Sequence, residues 1–157
     1  MTPLVDSFGR VFEYLRLSLE DACNFRCVYC LPGGYHKAQE QNPLSAAEIG
    51  RLARAFSGMG VWKVRLTGGE PTMRRDLLEV ARLVAEAPGV RRLALSTNGH
   101  RLAELAGPLR QAGVGCVNVS VDSLKPERFA ELTDLLRARR DAIPGFLERY
   151  FAAGGAP

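Results

Sequence analysis

The chain has 157 residues, 46% hydrophobic and 24% charged, and its 21 Lys and Arg against 17 Asp and Glu leave a net charge of +4. That balance belongs to an ordinary globular protein of one domain and excludes a disordered tail, a coiled coil and a collagen-like fibre. No apolar run approaches the ~18 residues of a membrane span, and the scattered basic residues suit an anionic small molecule better than a nucleic acid.

The N-terminal MTPLVDSFGR does not read as a signal peptide, so the expected compartment is the reducing cytoplasm, where clustered cysteines act as ligands or catalysts. Residues 11–19 (VFEYLRLSL) alternate and predict a strand, followed by a loop with three cysteines. Ser45 and Glu48 form a capping box that predicts a helix over 46–57. A strand is predicted over 61–67, ended by Gly68-Gly69, then a helix over 74–87 stopped by Pro88-Gly89. A strand over 91–97, a helix over 101–112 and a strand over 116–121 follow, and Pro126 suits the first turn of a further helix. Alternating strands and helices predict parallel βα units.

Within each predicted strand one face is apolar and the other polar. Leu15, Leu17 and Leu19 oppose Tyr14, Arg16 and Ser18, while Val64 and Leu66 oppose Arg65 and Thr67. Leu93 and Leu95 oppose Ser96 and Asn98, and Val117, Val119 and Val121 oppose Asn118, Ser120 and Asp122. A parallel sheet covered on both sides would show unbroken apolar runs instead. The expectation is a barrel-like sheet whose concave, polar face holds a ligand at the C-terminal mouth. An antiparallel sheet with one wet face is the alternative.

Cys23, Cys27 and Cys30 form C-x3-C-x2-C directly after the first strand. Three thiolates so close can surround one metal centre. In a four-iron cluster each iron takes one cysteine, so three ligands leave one iron open to a small molecule. A zinc site completed by His36 is the competing reading of the same residues. Cys116, inside an apolar strand, reads as a small core residue.

The cysteine loop, with Tyr29 before its last cysteine, and the Gly68-Gly69-Glu70-Pro71 turn resemble the motifs of the radical S-adenosylmethionine superfamily. Together with DSFGR, LRLS, CNFRCVYCLP, RLTGGEP, STNG and NVSVDSL, they resemble the GTP 3′,8-cyclase family of molybdenum cofactor biosynthesis. The resemblance implies an α/β fold: a partial (β/α) TIM-type barrel of about four parallel βα units. It implies a lyase with a 4Fe-4S cluster on Cys23, Cys27 and Cys30, and S-adenosyl-L-methionine against Tyr29, Gly68, Gly69, Glu70 and Ser120. It implies GTP against Arg16, Arg65 and Ser96. Arginine's planar fork suits a triphosphate. The partners implied are GTP and a one-electron reductant of the flavodoxin or ferredoxin type. Self-association into a homo-oligomer is left open, and no nucleic acid or membrane is expected. A related radical enzyme or activase acting on another substrate is the alternative, besides the zinc module.

After Thr133 the resemblance gives out, and residues 134–157 read as one or two helices. A core over 1–133 and a divergent helical tail over 134–157 are therefore expected. Beyond Cys30 only Cys116 remains, too few for a second cluster in this chain.

Overall fold

The computed structural model describes residues 3–31, 34–35, 43–123 and 126–133. The tail over 134–157 lies outside them, as does His36. The elements are β1 (Tyr14–Ser18), α1 (Ala46–Gly58), β2 (Lys63–Thr67), a single 3-10 turn (Pro71–Met73), α2 (Leu77–Ala85), β3 (Arg92–Thr97), α3 (Leu102–Gln111), β4 (Cys116–Val119) and α4 (Pro126–Thr133). The four strands form one sheet in the order β1-β2-β3-β4, and every pairing is parallel. This is the open, partial (β/α) barrel the sequence predicts, and the antiparallel alternative falls.

Local chemistry sets the element ends. Ser45 caps α1: its Oγ accepts from the Glu48 N–H at 3.3 Å, while its own N–H donates to Glu48 Oε2 at 2.9 Å. The first strand is shorter than the alternation predicts. Val11 leaves the parallel sheet to make an antiparallel bridge with Val5, a hairpin held by Asp6. The Asp6 carboxylate accepts from the N–H groups of Phe8 and Arg10 and pairs with the Arg10 guanidinium at 2.6 Å. β4 ends at Val119, although the Ser120 N–H still donates to the Thr97 carbonyl at 2.9 Å.

The two faces separate as expected. Leu17, Leu66, Leu95 and Val117 lie in register across the sheet, and Leu66 and Leu95 are wholly buried. Ile49 and Ala53 of α1, Val80 and Val84 of α2, and Leu102 and Leu109 of α3 join the same core. On the opposite face Arg16, Arg65, Ala94 and Cys116 form one register row. Toward the C-terminal ends Ser18 pairs with Thr67, and Ser96 with Asn118. Cys116 thus corrects the sequence reading: it is half-buried on the polar face and not in the core.

Candidate functional site

The parallel ladder between β1 and β2 continues past both strands. The Leu19 N–H donates to the Thr67 carbonyl at 2.9 Å, the Gly69 N–H to Glu20 O at 2.5 Å, and the Glu70 N–H to Ala22 O at 2.9 Å. The loop leaving β1 is therefore laid along the turn leaving β2. Only glycine allows this approach. A Cβ on Gly69 would stand 2.5 Å from the Asp21 carbonyl oxygen, and one on Gly68, whose φ is +142°, would press into the Glu20 carbonyl. The resemblance sets Gly68 and Gly69 against S-adenosyl-L-methionine. Their missing side chains also admit the chain's own backbone.

Glu70 turns inward and is only 1% exposed. Its Oε1 accepts from the Thr72 N–H (2.9 Å), the Thr72 hydroxyl (2.5 Å) and the Thr97 hydroxyl (2.7 Å), and its Oε2 from the Asn98 N–H (2.7 Å). A carboxylate buried this deeply must be hydrogen-bonded to be tolerated. Here it fastens the turn after β2 to the end of β3.

The cysteine loop hangs from the first of these attachments and is gripped at three further points. Asn24 Oδ1 accepts from the Asn98 amide at 2.9 Å. The Arg26 and Val28 N–H groups donate to the Thr133 and Leu132 carbonyls at the end of α4, at 3.3 and 3.0 Å, carbonyls that the helix itself leaves unsatisfied. The Tyr29 hydroxyl donates to Asp122 Oδ2 just beyond β4 at 2.6 Å. Phe25, 5% exposed, sits beneath the loop with its ring edge-on to His100 and Phe129 at centroid distances of 6.2 and 6.1 Å.

One cavity of about 210 Å³ results, lined by Cys23, Cys27, Tyr29 and Cys30 together with Gly68, Gly69, Ser96, Asn98 and Ser120. Eight of the predicted site residues thus meet in one place, at the C-terminal ends of the strands. Arg16 and Arg65 do not line it. They are register partners deeper on the same face, and the Arg65 guanidinium stands 5.9 Å from the Tyr14 ring centroid. Arg65 Nε is buried without a partner. Glu70 stays behind the cavity wall, so its carboxylate acts on the site through the turn. Sequence reasoning missed Asn24, Phe25 and the tie from Asp122 to Tyr29. Asn98 and Asp122 had been placed on the polar face, which was the available signal.

Burial raises the Cys23 thiol above its ordinary range, against a hydrogen bond from the Phe25 N–H at 3.4 Å. Burial likewise raises Cys27, opposed by the Tyr29 hydroxyl. Tyr29 is itself pushed well up, chiefly by its bond to the Asp122 carboxylate and then by burial. The three cysteines are free thiols, the soft donors that iron–sulfur clusters take. Among the described residues no three His, Cys, Asp or Glu side chains are gathered for a single ion. In a cluster each thiolate reaches its own iron, so the three need not share one coordination sphere. The donor set fits a 4Fe-4S cluster.

A parallel βα sheet with three cysteines in the loop after its first strand, facing a glycine turn after its second, defines a class of cluster-dependent radical enzymes. The chain belongs to the Radical SAM superfamily, whose pattern matches residues 17–153. The match runs on past Thr133. A 4Fe-4S cluster and S-adenosylmethionine are the cofactors that go with this membership. The chain is 50% identical over 152 residues to a GTP 3′,8-cyclase of Actinobacillus succinogenes, covering 96% of this chain and 45% of that one. It is 52% identical over 133 residues to a GTP 3′,8-cyclase of Stenotrophomonas maltophilia, covering 85% of this chain and 41% of that one. The chain thus spans less than half the length of these relatives. Streptococcus suis SuiB bound to S-adenosylmethionine superposes with a TM-score of 0.70 at 19% identity, over 91% of this chain and 32% of SuiB, a likeness of fold. No described helix is long and apolar enough to cross a membrane.

Proposed function

We propose that the chain carries the cofactor-binding part of a GTP 3′,8-cyclase, which converts GTP to (8S)-3′,8-cyclo-7,8-dihydroguanosine 5′-triphosphate in molybdenum cofactor biosynthesis. The observation that supports this most is the convergence of Cys23, Cys27, Cys30, Tyr29, Gly68, Gly69, Ser96 and Ser120 on one cavity, in a chain about half identical to such cyclases over most of its length. In this reading Cys23, Cys27 and Cys30 hold the cluster and leave one iron for S-adenosylmethionine. Tyr29, Gly69 and Ser120 contact that molecule, Gly68 lets the turn come close, and Glu70 fixes the turn. Bound there, the two cofactors supply a hydrogen-abstracting 5′-deoxyadenosyl radical, which is what joining ribose C3′ to guanine C8 requires.

Arg16, Arg65 and Ser96 are the residues assigned to GTP. The two arginines sit side by side across β1 and β2. Arg65 Nε, buried without a partner, is a donor whose burial is costly until an acceptor reaches it, and a phosphate oxygen is such an acceptor. An electron must also arrive, from a flavodoxin or ferredoxin type of reductant, and the compartment proposed is the cytoplasm.

Anaerobic reconstitution with iron and sulfide tests the reading. The chain should turn brown with broad visible absorption, the Cys27→Ala variant should stay colourless, and the reconstituted chain should release 5′-deoxyadenosine from S-adenosylmethionine under a strong reductant. A colourless chain that binds one tight zinc ion would overturn it.

A further inference from the structure

Two ties join the cysteine loop to the glycine turn. One is the backbone ladder through Gly69 and Glu70. The other runs through side chains, and its centre is Asn98. This residue follows β3 directly and spends its N–H and both side-chain polar atoms on different partners. Its N–H donates to Glu70 Oε2 at 2.7 Å, its Oδ1 accepts from the His100 N–H at 3.0 Å, and its Nδ2 donates to Asn24 Oδ1 at 2.9 Å. Glu70 gathers Thr72 and Thr97 on its other oxygen. A continuous line of hydrogen bonds therefore runs from the buried turn after β2, across the end of β3, to Asn24 between Cys23 and Cys27.

We propose that Asn98 is a positioning residue for the cofactor pocket, setting where the Cys23–Cys27 half of the loop stands relative to the Gly68–Gly69 turn. The proposal rests on the reading that these cysteines hold the cluster and that the turn meets S-adenosylmethionine. The residue type follows from the demand. Asn98 donates to Asn24 from Nδ2 and accepts from His100 on Oδ1, two separate atoms that a carboxamide offers; an ionised carboxylate has no donor, and a hydroxyl has only one atom for both tasks. The placement is what function needs: ligands are held in productive geometry by hydrogen bonds from residues outside the coordination shell.

Reciprocal charge variants separate positioning from mere stability. Asn24→Asp still accepts from the Asn98 amide. Asn98→Asp still accepts from His100, and from Asn24 once that amide turns over. The double variant Asn24→Asp/Asn98→Asp sets two carboxylates face to face with no donor between them. None of the three touches the bond from the Asn98 N–H to Glu70. Asn24→Asp, which keeps the acceptor and lies outside the cavity lining, is expected to take up the cluster and to keep the change that S-adenosylmethionine causes in the electron paramagnetic resonance spectrum of the reduced cluster, while Asn98→Asp, in the cavity wall, is read by hydrogen exchange alone. The double variant should lose S-adenosylmethionine affinity by on the order of tenfold or more, with an altered spectrum and a circular dichroism spectrum like the parent's. Parental affinity and spectrum in the double variant would overturn the proposal. Hydrogen exchange on the cluster-free chains provides the control. Faster exchange over residues 20–28 in the double variant alone supports the tether even if the cluster reading fails, and unchanged exchange there overturns it.

Discussion

Gly68 concentrates two constraints on one atom. Its φ of +142° is a conformation that side chains avoid, and its Cβ position is taken by the Glu20 carbonyl. Gly68→Ala therefore combines backbone strain with overpacking, for an expected loss of roughly 2–6 kcal/mol. The displaced part is the root of the cysteine loop, so cluster uptake should fall as well. Thermal unfolding and iron content of the reconstituted variant check this, and parental values for both would show that the turn has room to spare. The sequence makes the pair Gly68-Gly69 and the three cysteines conspicuous because each is unusual within its own few residues. Glu70 is different. Its hydrogen bonds reach to Thr97, 27 residues on, and nothing local distinguishes a carboxylate that faces a ligand from one that folds inward. For the same reason Asn98 and Asp122 stand out in the sequence as polar residues near strand ends but not as partners of the loop, and Asn24 does not stand out at all.

At the scale of elements, one boundary that the sequence misplaces is the start of α2, expected at residue 74 and found at Leu77. Arg74 explains the delay. Its backbone is extended, and its guanidinium binds the Leu19 carbonyl (3.0 Å), the Leu44 carbonyl (2.6 Å) and the Asp76 carboxylate (2.6 and 3.0 Å). One side chain thus joins the end of β1, the approach to α1 and the approach to α2. A helical pattern in sequence cannot register such a long-range engagement. Arg74 holds the Asp76 carboxyl below its ordinary range, first by hydrogen bonding and then by charge. A lowered carboxyl stabilises the fold above its unfolded pKa of about 4 and loses that contribution as pH falls through the lower folded value. Asp76 is 37% exposed in its side chain, so Asp76→Asn should cost only about 0.5–1.5 kcal/mol at neutral pH. Urea denaturation across a pH series should show the gap to the parent closing in strong acid. A gap independent of pH would mean that the ion pair contributes nothing.

The strands themselves were legible because their faces differ: Leu17, Leu66 and Leu95 are packed beneath helices while Arg16, Arg65 and Ser96 line the other side. That contrast has a consequence for the whole molecule. A complete (β/α)8 barrel takes eight strands and roughly 250 residues, whereas the described residues hold four strands in one open sheet. Among the described residues no strand pairs with the outer edge of β4, and Asn118 and Ser120 of the polar face are exposed. A concave face left uncovered admits water, which weakens charge–charge interactions and leaves a radical unprotected. The chain on its own is therefore expected to bind S-adenosylmethionine and cleave it at a rate that GTP changes little. Supplying the part of the Actinobacillus succinogenes cyclase outside the aligned 45% as a separate chain should change this if that part completes the sheet at the free edge of β4. The two chains should co-elute in size-exclusion chromatography. GTP should then accelerate 5′-deoxyadenosine release by on the order of 10²-fold, the scale that correct placement of reactants supplies. If the chains elute apart, or co-elute without any response to GTP, β4 is not the edge through which this fold is completed.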